Sequence, residues 1–143
     1  MIEYQKILDK NMLNVLKDIL VNIRDNGLSG NNHLYITFLT KHKEVILPDW
    51  IKEKYPQKMT VVLQYEFYDL EINKGNFSIS LSFNNIKTNL LIGFNAIISF
   101  ADPSANFGLI LQKDKVQKNI KKKLRESKTK NNNVINLSEY KKN

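Results

Sequence analysis

The chain has 143 residues, no cysteine and a formal net charge of +8. That length suffices for one domain with its own core, and the missing cysteine excludes disulfides, thiolate zinc sites and a cysteine nucleophile. No apolar run approaches the roughly 20 residues of a membrane-spanning helix. Glu3, Lys6, Asp9 and Lys10 interrupt any signal-peptide core, so a cytoplasmic protein is expected.

In chain order, the first element is a helix from about Glu3 to Asn26. Leu8, Met12, Val15, Leu16, Ile19 and Ile23 form its apolar stripe, and Ile7, Leu13 and Leu20 widen it. Asp25-Asn26-Gly27 supplies its stop. So broad a stripe suits either a helix sunk in one core or a helix that packs on its own sheet and on a second copy. The homodimer reading names Leu8, Met12, Leu13, Leu16 and Leu20 as the dimer helix.

After a loop from Gly27 to Asn32, His33–Thr40 reads as a strand. Pro48 opens a short helix, Asp49–Lys54, which stops before Pro56. Met59–Phe67 is a strand, and Tyr68–Ile72 either continues it past a bend or is a separate one. Asn73–Asn76 turns the chain into Phe77-Ser78-Ile79-Ser80-Leu81-Ser82-Phe83, where apolar residues hold every odd position and serine every even one. A strand with this alternation shows one face that must be covered and one of small hydroxyls that a second backbone can approach closely. Asn84-Asn85 suits the positive φ angles of a tight hairpin, with Ile86–Ile92 returning antiparallel. Asn95–Ala101 is expected as a helical turn closed by Asp102-Pro103, and Phe107–Leu111 as the last strand. The expected fold is α+β: an N-terminal helix packed on a strongly bent antiparallel sheet or small open barrel, followed by a disordered C-terminal tail.

The charge is not spread evenly. Residues 113–143 hold ten lysines and Arg125 against three acids, which accounts for the whole +8, so residues 1–112 are neutral. The expected organisation is a folded domain over 1–112, a flexible basic linker over 113–133 and a closing segment over 134–143. Within the linker Val116, Ile120 and Leu124 share one helical face. The closing Val134-Ile135-Asn136-Leu137-Ser138-Glu139-Tyr140-Lys141-Lys142 is an apolar patch on a charged tether, the kind of segment that docks on another protein.

No catalytic pattern emerges. His33 and His42 are the only histidines and have no acid grouping at metal-ligand spacing. No nucleophile elbow or glycine-rich phosphate loop is present, and Asp69 with Glu71 reads as a pair of solvated surface acids. Neither an enzyme nor a cofactor is expected.

His33-Leu34-Tyr35-Ile36-Thr37-Phe38, Tyr55-Pro56, Met59-Thr60-Val61-Val62-Leu63-Gln64, Tyr68-Asp69-Leu70, the Phe77–Phe83 run and Phe100-Ala101-Asp102-Pro103-Ser104 resemble, in that order, the SspB family in its alphaproteobacterial form. The resemblance covers roughly residues 2–111, and the closing segment is similar to the family's short C-terminal motif. It implies an adaptor for the ClpXP protease: a dimeric body that holds the ssrA degradation tag, and a tail that docks on the N-terminal domain of ClpX. It also implies an Sm-like or SH3-like topology. Carried over by residue, Gln64, Tyr68, Leu81 and Phe83 would contact the tag, and Val134, Ile135, Leu137, Tyr140 and Lys141 would dock on ClpX. Leu81 is large where some members carry a small residue, and the tail is basic where distant members have an acidic one.

The rival reading is a small-barrel RNA-binding protein with a basic arm. The neutral body and the lack of an aromatic stacking motif on its strands speak against it. A membrane-surface anchor is weaker still, because bulky interfacial aromatics do not accompany the lysines.

Overall fold

The computed structural model describes residues 1–65 and 67–111. The linker and closing segment expected over 113–143 lie outside the described residues.

Helix α1 (Tyr4–Asn26) leads the fold. It buries Met12, Leu16, Leu20 and Ile23 along one stripe and ends where Gly27, at φ 75°, donates its N–H to the carbonyl of Ile23 at 2.7 Å. Eight strands follow: β1 (Leu34–Leu39), β2 (Val45–Ile46), β3 (Lys58–Leu63), β4 (Phe67–Ile72), β5 (Asn76–Phe83), β6 (Ile86–Gly93), β7 (Ile97–Asp102) and β8 (Phe107–Ile110), with the short helix α2 (Asp49–Lys54) between β2 and β3. They form two four-stranded antiparallel sheets in the orders β3-β1-β7-β8 and β2-β6-β5-β4. The α+β class therefore stands, with two sheets in place of one bent one.

Register explains which residues make the core. Leu34, Ile36 and Phe38 of β1 stand opposite Leu63, Val61 and Met59 of β3, and all six are buried. In the second sheet Phe77, Ile79 and Leu81 of β5 carry the inward face, with Leu90 and Ile92 of β6 beside them. Alternation of period two sends every second side chain inward, so the odd positions of the Phe77–Phe83 run meet the core. Ile51 of α2 is fully buried as well.

Two local expectations need correction, and one short strand was not expected. Asn95–Ala101 is not a helical turn: only Phe94–Ala96 makes a single 3₁₀ turn, and Ile97–Asp102 is β7, pairing with both β1 and β8. This six-residue strand, with buried Ile97 and Phe100, finds partners on both edges, and those ladder bonds override local turn preference. Met59–Phe67 is not one strand either. The chain leaves β3 at Leu63 and enters the other sheet at Phe67, so Phe67–Ile72 is a separate strand. Val45–Ile46 is a strand of two residues, too short to leave a periodic signal. The Asn84-Asn85 hairpin is as expected, with φ 51° and 68°. Among the described residues no helix is long and apolar enough to cross a membrane.

Candidate functional site

The β3–β4 connection passes from one sheet to the other, and Gln64, half-buried, begins it. Phe67 stands opposite Leu81 across the β4–β5 ladder, so the connection arrives next to the Phe83 end of β5. On the other side of that end, Phe83 pairs with Ile86 of β6. The connection that begins at Gln64 therefore enters the second sheet beside Leu81, on the strand that ends at Phe83.

Leu81 and Phe83 do not play equal parts there. Leu81 is only 5% exposed and faces the core, so it is a floor residue and not an open wall. Phe83 is half-buried at the end of the same inward face. Its ring meets Trp50 of α2 edge-on, with centroids 6.1 Å apart and planes at 81°. Tyr65, next to Gln64, is an exposed aromatic at the same crossing.

Tyr68 lies elsewhere. It pairs with Ser80, on the face opposite Leu81, because neighbouring residues of a strand alternate. The register then slips by one residue between Tyr68 and Glu71, with Asp69 at φ 54°, a β-bulge that keeps both Phe67 and Ile72 on the inner side. On this outer face Lys87 Nζ sits 4.8 Å above the Tyr68 ring and 3.5 Å from an Asp69 oxygen. Ser80, buried between Tyr68 and Asn89, accepts from the Asn89 amide at 3.1 Å. The hydroxyl face of β5 is therefore partly spent on its own neighbours.

The helix residues also divide. Met12, Leu16 and Leu20 are buried in the chain's own core and Leu13 packs against it, whereas Leu8 is 52% exposed. The unburied apolar side of α1 is a neighbouring stripe of Tyr4, Leu8 and Val15, beside Ile7. Periodicity alone marks both stripes as apolar; only the sheet's position shows which one is used.

That free stripe leads to an open groove of about 640 Å³ between the second half of α1, the 27–32 loop and the start of β8. Val15, Ile19, Ile23 and Phe107 line it, with Asp18 and Asp102 among its polar groups. None of the four expected tag residues lines it. Asp102 is 9% exposed. It accepts from the Asn32 amide at 2.9 Å, from the Ser104 N–H at 3.0 Å and from the Ser104 hydroxyl at 2.5 Å. Burial opposes ionisation of its carboxyl, but these bonds and one from the His33 backbone outweigh it and hold the carboxyl below its ordinary value of 3.8.

Among the described residues no cluster of three or more His, Cys, Asp or Glu could hold a metal. Trp50 was readable as part of a short helix, but its partner Phe83 is 33 positions away and only the fold joins them.

No curated protein matches the chain. The family model described as Stringent starvation protein B matches residues 7–143, which takes in both the folded body and the closing segment. The chain belongs to the SspB family.

Proposed function

We propose that this protein is a proteolytic adaptor that binds ssrA-type degradation tags and tethers the tagged proteins to the ClpX unfoldase of ClpXP. The observation that carries the reading is the extent of the family match, which reaches from residue 7 to residue 143 and so takes in the segment a tethering adaptor needs. The end of β5 beside the β3–β4 crossing supports a place for the tag. Gln64 offers an amide with both donors and an acceptor for a peptide main chain. Phe83 offers half-buried apolar surface on the same face as Leu81, and Tyr68 stands on the outer face. An extended peptide held by main-chain hydrogen bonds, with pockets for alternate side chains, is an ordinary mode of recognition for such sites.

The tail completes the mechanism. Val134, Ile135, Leu137, Tyr140 and Lys141 dock on the ClpX N-terminal domain, and residues 113–133 serve as the tether. Tethering of this kind raises the effective concentration to the order of millimolar, so avidity exceeds either contact by about 10²–10⁴-fold. The protein acts as a homodimer with two tails. Its interface uses the free α1 stripe of Tyr4, Leu8 and Val15 and the adjoining groove, since Met12, Leu16 and Leu20 are occupied within each chain.

The test is binding of a fluorophore-labelled ssrA peptide to the wild type and to Gln64→Ala. The expected result is measurable wild-type affinity and a clear loss in the variant. No affinity in the wild type would sink the adaptor reading.

A further inference from the structure

The chain has a single tryptophan, and the fold leaves it 38% exposed. Trp50 belongs to α2, whose Ile51 is fully buried, so the helix is firmly seated while the indole stays at the surface. Its ring stands edge-on to Phe83. Ile86, directly across the hairpin from Phe83 and therefore on the same face, is 58% exposed. Trp50, Phe83 and Ile86 thus make one contiguous apolar strip that continues the core out to solvent at the hairpin end of β5.

We propose that Trp50 and Ile86 form the second apolar wall of the tag site, taking one apolar side chain of the bound peptide against the Trp50 ring. This rests on the adaptor reading and adds to it two residues and a side-chain preference. In the strand order β6-β5-β4, Ile86 flanks Phe83 on the side away from the Gln64 connection. A peptide crossing the end of β5 would meet Gln64 on one side and the Trp50–Ile86 strip on the other. A strip three side chains wide is far smaller than the ~800 Å² per partner of a stable protein interface. One anchoring side chain fills it, and a buried aromatic contact is what commonly dominates such binding. A second copy has the separate stripe on α1.

The experiment uses the full chain. An unlabelled ssrA peptide is titrated while the emission of the single tryptophan is followed. In parallel, affinity for the labelled peptide is measured for Trp50→Ala, Trp50→Phe and Ile86→Ser, each checked by thermal melting. The expected result is a blue shift of Trp50 emission on saturation and a loss of about tenfold or more for Trp50→Ala, the scale of a truncated aromatic anchor. Trp50→Phe retains most of the affinity, and Ile86→Ser loses several-fold. Replacing the peptide residue seated on Trp50 by Asp in a peptide series should weaken wild-type binding yet add nothing to Trp50→Ala, which identifies the contact. Full affinity in a folded Trp50→Ala with unmoved wild-type emission overturns the inference and leaves the adaptor reading standing. Dissociation of a wild-type dimer by Trp50→Ala without loss of peptide affinity overturns it in favour of a second copy. No wild-type affinity for the peptide removes both.

Discussion

The side-chain amide of Asn32 donates to the carboxylate of Asp102 at 2.9 Å, joining the loop after α1 to the last residue of β7 across seventy positions. The other Asp102 oxygen takes the N–H and hydroxyl of Ser104, in the middle of the turn into β8. One carboxylate therefore holds three parts of the chain at the rim of the α1 groove.

Asp102→Asn removes charge-assisted bonds and should cost about 1–3 kcal/mol at neutral pH. The pH dependence follows from a carboxyl whose folded value lies below 3.8. Its contribution is complete above the ordinary value and is lost as pH falls through the lower folded one. Melting curves should show a gap between wild type and variant that is constant at neutral pH and closes in acid. A gap that widens on acidification would refute the assignment.

Gly93→Ala tests the joint between the loop before β2 and the end of β6. Gly93 donates its N–H to the Glu44 carbonyl at 2.9 Å, and an added Cβ would overlap Glu44 Cβ and come within 3.0 Å of that carbonyl oxygen. Its φ of −71° is ordinary, so the penalty is steric only. Overpacking of this kind costs about 1–3 kcal/mol, read as a lowered denaturant midpoint.

The two stripes of α1 should respond differently to substitution. Leu16→Ala empties a fully buried site and should lose about 2–5 kcal/mol. Leu8→Glu places a charge on the exposed stripe and should leave the circular dichroism of the folded chain intact while abolishing the proposed dimer in sedimentation. A Leu8→Glu variant that still sediments as a dimer would move the interface off this stripe.

Removing residues 134–143 should leave affinity for a labelled ssrA peptide unchanged. Enhancement of ClpXP degradation of a tagged substrate should disappear, since the tether then has no anchor. Undiminished degradation after that deletion would refute the tether.

Much of this protein was legible in its sequence, because its strongest signals are periodic. Alternation over Phe77–Phe83, the 3.6-residue stripe of α1 and the Asn84-Asn85 turn each specify local geometry through steric rules that act within a few residues. The neutral body and basic tail were likewise a matter of counting. Tertiary structure alone decided the rest. It placed Tyr68 on the face opposite Leu81, turned Ile97–Asp102 into a paired strand and chose which stripe of α1 is buried. It also set Trp50 against Phe83. These depend on which elements meet, and a contact between residues far apart in the chain leaves no trace in the spacing of either.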